Sequence, residues 1–206
     1  MAKLLYIEAS PRKDRSSSIA VAREFIAAYT QAHPDDVVET IDLWTLDMPP
    51  FDGATINAKY KVLHGLERTA DEDRAWETVA EFAGRLKKAD KILISSPMWN
   101  FGIPYTLKHF IDIVVQPGLT FTVSPGGEYN GLLAGRPAVL VLARGGEYGD
   151  GTTYDYQRTY LKLILGFMGI TDVREIIVEP TIAEKGTVAR AKDAAMAEAK
   201  KLGAAF

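Results

Sequence analysis

The residues best suited to chemistry in this chain lie in three short stretches, and the first contains Ser10 and the run Ser16-Ser17-Ser18. The run precedes apolar residues at helical spacing, so the serines stand at a helix N-terminus. Hydroxyls, free backbone N–H groups and the helix dipole together form a cradle for one phosphate, and Arg12, Lys13 and Arg15 add positive charge nearby. Helix capping alone is the alternative interpretation. A G-x-G-x-x-G fingerprint is missing, which favours one phosphate over a pyrophosphate.

The second stretch lies between Pro97 and Pro104 and follows the buried-strand pattern of residues 92–94. Because proline lacks a backbone donor, the prolines bracket a fixed loop that continues neither a strand nor a helix. The loop offers flat apolar side chains beside an amide, which suit a planar ligand. These residues are Met98, Trp99, Asn100 and Phe101. A hydrophobic turn capped by a core tryptophan is the alternative.

The third stretch, Ala143-Arg144-Gly145-Gly146, follows the apolar run of residues 137–142. Its glycines allow a ligand to approach the backbone closely, and the N–H groups of such a turn attract anions. Taken alone, the sequence also fits a plain turn. Its position after a strand, like that of the other two stretches, favours a binding site.

Five strand patterns alternate with helical patterns along the chain. The strand patterns cover residues 4–7, 37–43, 92–94, 137–142 and 173–179. This alternation predicts an α/β fold with a doubly wound, five-stranded parallel sheet, flanked by helices and contained in one domain over residues 1–206. With strand order 2-1-3-4-5, the loops after strands one, three and four meet at one edge, beside the topological switch point.

Two segments depart from this alternation. Residues 116–135 form a glycine-rich excursion that places Phe121 and Tyr129 on the surface. Residues 154–168 have helical spacing but are apolar nearly all round. The sheet covers one side of such a helix, and a partner subunit is the natural cover for the other. We therefore expect a homodimer.

Composition excludes several classes of function. The absence of cysteine rules out disulfides and thiol nucleophiles, and three scattered histidines leave no metal-ligand spacing. A net charge of −3 without a basic stripe argues against nucleic-acid binding. No apolar run approaches the roughly 20 residues of a membrane span, and no signal-peptide layout is present. We expect a cytoplasmic protein that does not bind membranes.

A phosphate cradle, flat apolar surface and peptide donors together describe a site for flavin mononucleotide (FMN). The sequence resembles the FMN-dependent NADH:azoreductase and quinone reductase family, which has a flavodoxin-like fold. The motifs that carry the resemblance are Ser10 with Ser16–Ser18, Pro97–Phe101 with Leu107-Lys108 and Asp112, Gly118–Phe121, Arg144–Gly146 and Leu165–Val173. They cover essentially the whole chain, in order and with family-like spacing.

The resemblance implies a role for each stretch. Ser10, Ser16, Ser17 and Ser18 would bind the FMN phosphate. Met98, Trp99, Asn100 and Phe101 would border one side of the isoalloxazine ring, and Ala143, Arg144, Gly145 and Gly146 its pyrimidine side. Trp99 and Ala143 depart from the tyrosine and serine common in the family, which changes polar contacts more than ring packing. Backbone donors survive the change from serine to alanine, so FMN binding should persist.

The implied reaction is ping-pong: NADH or NADPH passes a hydride to the flavin, and a quinone or azo compound then takes the same place and receives two electrons. The flavin carries the chemistry, so no side chain is assigned as a catalytic acid or base. In this family the site lies at a dimer interface. Phe121, Tyr129 and Phe167 are therefore candidates for the acceptor pocket, with plain interface packing as the alternative.

Three other functions stay open at this point. The first is a quinone reductase with incidental azo activity, because one open flavin face serves any flat acceptor. The second is a non-enzymatic flavodoxin-like electron carrier, although carriers lack the excursion at 116–135 and the apolar helix pattern at 154–168. The third is a flavin-free regulatory module, which would be colourless.

Overall fold

The strands of the central sheet are short apolar runs rich in Val, Leu and Ile, and the amphipathic segments between them form helices. A computed structural model describes residues 1–149 and 153–206. The strands are β1 (Lys3–Glu8), β2 (Val37–Asp42), β3 (Lys91–Pro97), β4 (Phe121–Val123), β5 (Tyr129–Gly131), β6 (Ala138–Ala143) and β7 (Val173–Val178). The helices are α1 (Ser17–Ala32), α2 (Gly53–His64), α3 (Ala70–Lys88), α4 (Tyr105–Val114), α5 (Tyr156–Phe167) and α6 (Lys185–Ala205), and a short 3-10 turn covers Lys13–Arg15.

Five strands pair in parallel in the order β2-β1-β3-β6-β7. Because β4 and β5 form a separate hairpin, this is the predicted order 2-1-3-4-5, and the flavodoxin-like arrangement is confirmed. The chain reverses its direction of growth between β1 and β3, which is the topological switch point of this sheet. The carboxyl ends of β1, β3 and β6 therefore lie side by side at one edge.

Helices cover both faces of the sheet, so each face has its own apolar core. On one face Ile7, Ile94 and Leu142 pack with helix residues such as Phe110 and Leu161. On the other face the alternate strand residues pack against α1 and α6. They include Leu4, Leu93, Val141, Phe25 and Ala199. This alternation along each strand is what burial of both faces requires, and it leaves the strand ends as the place for polar residues.

The glycine-rich excursion contains the antiparallel hairpin β4–β5. The hairpin lies against the end of α5, where Leu133 N donates to Met168 O at 2.8 Å. A side chain at Gly131 would collide with the backbone of Met168 and Gly169, and Gly169 itself has a φ of +94°. Only glycine suits these two positions, so the hairpin base and the helix end are fixed together.

The segment over residues 54–67, which the sequence leaves ambiguous, is mostly helical. Helix α2 begins after Asp52, whose carboxylate accepts a hydrogen bond from Thr55 N at 3.1 Å, and ends at Gly65 with a φ of +64°. An N-cap and a left-handed glycine are ordinary helix boundaries. Along the ranges described, no helix is both long and apolar enough to cross a membrane.

Candidate functional site

A cavity of about 410 Å³ lies where β1, β3 and β6 end. Its volume falls within the roughly 300–1,000 Å³ typical of small-molecule sites. All three predicted stretches contribute to its wall, through Ser10, Ser16, Ser17, Met98, Trp99, Asn100, Phe101, Ala143 and Gly145. The loops that the sequence places at one edge therefore surround a single space.

Three predicted residues do not line the cavity wall: Ser18, Arg144 and Gly146. Ser18 is fully buried, and its hydroxyl lies 3.2 Å from that of Ser16. Successive helix residues are about 100° apart, so three consecutive serines cannot all face one side. The side chain of Arg144 lies in a buried ion cluster, and its backbone N–H and C=O bond Val178 O and Thr181 N.

The first loop combines helix capping with an open cradle. Ser16 is the N-cap of α1, since its Oγ accepts a hydrogen bond from Ile19 N at 3.4 Å, and it also lines the cavity. The capping interpretation is therefore right for Ser16 without excluding the other. Ser17 lies in the first turn, where backbone N–H groups lack intrahelical partners and the dipole favours an anion. Arg12 lines the same end of the cavity.

Lys13, in contrast, does not face the cavity. Its Nζ lies 2.7 Å from Glu8 Oε1 and 2.5 Å from Asp42 Oδ1, which joins the ends of β1 and β2. Partial burial alone would lower the pKa of Lys13, but hydrogen bonds to Asp42 and Glu8 raise it on balance. Partial burial opposes ionisation of Asp42, yet its bond to Lys13 holds the pKa of that carboxyl below its usual value. Both groups are therefore charged at neutral pH.

The second loop is a tight, strained turn. Trp99 and Gly102 exchange two backbone hydrogen bonds of 3.0 and 2.9 Å, and the two residues between them, Asn100 and Phe101, have φ values of +48° and +70°. Positive φ is rare for a bulky residue such as phenylalanine. Strain of this kind persists where the surroundings hold it, often at functional sites. Here it directs Asn100 and Phe101 into the cavity wall.

Aromatic rings pack on both sides of this turn. Trp99 lies 5.8 Å from Trp44 between ring centroids, and Trp44 lies 5.5 Å from Tyr105. Phe101 is 47% exposed and contacts Tyr148 on the other side, at 6.4 Å. Flat apolar surface of this extent suits a planar ring system.

Sequence reasoning missed four further residues of the cavity wall: Pro97, Tyr148, Thr181 and Ile182. Tyr148 lies in the loop after β6, and Thr181 and Ile182 follow β7. The rule that strand ends meet at one edge also applies to β7, so it could have pointed to the last two. Nothing in their residue types marks them, because threonine and isoleucine are common in ordinary turns and cores.

The acceptor candidates Phe121, Tyr129 and Phe167 form a cluster of their own between the hairpin and α5. Phe167 lies 4.7 Å from Phe121 and 5.3 Å from Tyr129 between ring centroids, and Tyr129 is 64% exposed. The predicted surface position of Phe121 is wrong, since this ring is buried beneath the other two. None of the three lines the cavity within one subunit. An acceptor role and interface packing therefore both require a second copy of the chain.

With this fold and site, the chain belongs to the flavodoxin-like family, whose model matches residues 2–202. The chain is 47% identical over 208 residues to an FMN-dependent NADH:quinone oxidoreductase of Desulfotalea psychrophila, with 98% of each chain covered. It also matches a crystal structure of azoreductase from Bacillus anthracis, with a TM-score of 0.91, 29% identity and full coverage of both chains.

A second structure from Bacillus anthracis, an FMN-dependent NADH-azoreductase in complex with FMN, matches with a TM-score of 0.83 and 29% identity, covering 98% of this chain and 100% of the other. The resemblance to FMN-dependent azoreductases and quinone reductases, predicted from the motifs, is confirmed by these similarities.

Proposed function

We propose that this protein is a cytoplasmic, FMN-dependent oxidoreductase that takes electrons from NADH, or NADPH, and reduces quinones and aromatic azo compounds. The observation that carries the proposal is the single cavity that joins a helix N-terminus at one end to a strained aromatic loop at the other. One phosphate and one planar ring are what these two ends suit. Relatives named as FMN-dependent quinone oxidoreductases support the assignment.

The residues of the cavity fit FMN. Ser10, Ser16, Ser17 and Arg12 would hold its phosphate, because they offer hydroxyls, helix-terminal N–H groups and one positive charge. The loop of residues 98–101 would hold the ring. When bound, FMN supplies the two-electron chemistry, and the protein supplies binding, orientation and access.

A quinone or azo compound and the nicotinamide are all flat, so donor and acceptor can use one open side of the cavity in turn. This gives ping-pong kinetics, with parallel lines in double-reciprocal plots at several acceptor concentrations. A benzoquinone and an azo dye should compete for turnover, and the comparison of their kcat/KM values ranks them as substrates. Intersecting lines would contradict the shared side.

We also propose a homodimer with its cofactor sites near the interface. Apolar side chains on α4, α5 and the hairpin are unusually exposed: Tyr105 by 68%, Leu163 by 70% and Tyr129 by 64%. Contiguous exposed apolar surface is typical of an interaction site. Sedimentation should show a dimer, and a monomer that stays active at sub-micromolar concentration would contradict a shared site.

The decisive experiment is an absorbance spectrum of the purified protein before and after anaerobic addition of NADH. We expect yellow protein whose flavin bands are bleached rapidly without a partner reductase. Yellow protein that NADH does not bleach would indicate an electron carrier. Colourless protein that does not take up added FMN would contradict the flavin assignment altogether.

A further inference from the structure

Arg144 follows β6 directly and stands in the Arg-Gly-Gly stretch, yet its side chain is only 1% exposed. Its Nη2 lies 2.8 Å from Asp155 Oδ2, its Nη1 lies 3.4 Å from Glu179 Oε2, and its Nε donates to Gln157 Oε1 at 3.3 Å. A buried cation needs such partners, because desolvation of an unpaired charge is costly. The planar guanidinium reaches all three groups at once.

Each partner belongs to a different part of the cavity surroundings. Gln157 continues from Arg144 to β3, since its Nε2 donates to Ser96 O at 3.1 Å, two residues before Met98. Glu179 accepts from Tyr148 N at 3.2 Å and immediately precedes the segment that contains Thr181. The cluster therefore connects the ends of β3, β6 and β7 behind the cavity wall.

Asp155 ties the start of α5 to the same cluster. Its Oδ1 accepts from Arg158 N at 2.9 Å and caps the helix, while its Oδ2 meets Arg144. The backbone of the Arg-Gly-Gly stretch adds two more links, because Thr181 N donates to Arg144 O at 2.8 Å and Ile182 N donates to Gly145 O at 3.0 Å. The wall around Gly145 is thus held from two sides.

We propose that Arg144 is a positioning residue, which fixes three segments of the cavity wall from behind and does not contact the cofactor. Where it concerns FMN, this inference rests on the proposed function. It predicts that damage to the cluster weakens FMN binding through loosened loops at 96–101, 144–148 and 179–182. A residue that merely stabilises the fold would leave these loops and the bound flavin unchanged.

The other end of β6 provides a matched control. Arg136 precedes this strand and donates from Nε to Ala89 O at 2.9 Å and from Nη2 to Lys87 O at 3.0 Å. It therefore holds the end of α3 at the opposite edge of the sheet. An Arg→Lys change at either position keeps the positive charge and removes the planar guanidinium. Comparison of the two variants therefore separates a general loss of fold stability from a loss of support for the cavity wall.

The test compares Arg144→Lys, Arg136→Lys and Gln157→Met with the wild type. The dissociation constant of FMN is measured by flavin fluorescence, and the environment of the bound flavin by visible circular dichroism. We expect Arg144→Lys to raise the dissociation constant by roughly tenfold or more and to change the dichroism, as the loss of supporting residues around a site commonly does. Gln157→Met should act in the same direction more weakly, and Arg136→Lys should change neither.

Amide hydrogen exchange of the FMN-free proteins provides a readout that does not depend on the cofactor. Arg144→Lys should speed exchange in the three loop segments, and Arg136→Lys should not. Unchanged exchange and unchanged FMN affinity in Arg144→Lys would overturn the proposal. If that variant fails to fold, unchanged values in Gln157→Met overturn it. A wild type without FMN affinity would refute the proposed function alone, because the exchange comparison would still decide the role of Arg144.

Discussion

Lys13 and Arg144 are both basic residues in loops at the cavity edge of the sheet, but their side chains differ in burial and in their partners. The side chain of Lys13 is 36% exposed and joins Glu8 to Asp42. The side chain of Arg144 is buried and joins Asp155, Gln157 and Glu179. Both positive charges are therefore compensated by carboxylates of the protein itself.

The comparison teaches that a basic residue next to a predicted anion site need not bind the anion. The ammonium group of Lys13 is a point charge on a flexible side chain, and it stabilises a turn at the surface. The guanidinium group of Arg144 is planar and rigid, and it stabilises the buried contact between strand ends. In the proposed site, the groups available to a phosphate are the helix N-terminus, the serine hydroxyls and Arg12. Among the described residues, Arg12 is the one basic side chain that lines the cavity.

The largest effect should come from a charge placed at the helix N-terminus. Ser17→Asp sets a carboxylate against the phosphate and should weaken FMN binding a hundredfold or more, which corresponds to about 3 kcal/mol for like charges near a protein surface. An acidic residue in the first turn favours the helix, so the FMN-free Ser17→Asp variant should stay folded.

Equilibrium titration with FMN measures this effect, and Ser17→Asn provides the neutral control. The asparagine variant should bind nearly as well as the wild type. Yellow, fully loaded Ser17→Asp protein would refute the phosphate assignment.

A smaller effect is expected for Arg12→Ala, which removes the basic side chain that lines the cavity. Its side chain is exposed, so FMN affinity should fall by roughly two- to fivefold at low salt, as for an exposed charge pair. The difference from the wild type should shrink in 1 M salt, where the Debye length is about 3 Å. A loss of affinity that does not change with salt would show that Arg12 acts by packing.

The smallest effect separates the two roles of Lys13, ion pairing and backbone geometry. Its φ is +48°, which glycine adopts freely and other residues do not. Lys13→Met and Lys13→Gly both lose the ion pairs, worth about 1 kcal/mol at this exposure, but glycine should be the more stable of the two by about 0.5–1 kcal/mol. Urea unfolding of the FMN-free proteins measures the difference. If methionine is the more stable, backbone strain at this position is negligible.

Much of the fold could be predicted from the sequence because the strand runs, such as residues 92–94 and 137–142, are apolar and short. Once parallel pairing in the order 2-1-3-4-5 is assumed, the meeting of three loops follows from topology. The position of Trp99 and Phe101 in the cavity wall also follows, because both lie in the loop between Pro97 and Pro104. The fold and the meeting of the loops could be predicted because they depend on the local residue pattern and on the rule that binding loops lie at the carboxyl ends of parallel strands.

The side-chain partners could not be predicted in the same way. Arg144 finds Asp155, Gln157 and Glu179, and the last of these is 35 residues away in sequence. No local pattern indicates such a cluster, so the sequence predicts a ligand contact for an arginine that is followed by two glycines. The burial of Ser18 is different, since helical periodicity alone predicts that three consecutive serines cannot all line the cavity.

The contact between Gly131 and Gly169 divides the hairpin into a part that evolution can alter and a part that it cannot. Its base tolerates no added methyl group, because the backbones already touch. The turn at residues 124–128 is remote from that contact and largely exposed, and exposed loop tips accept insertions readily. Natural variants should therefore differ in the length and composition of this tip, while the glycines at its base stay fixed.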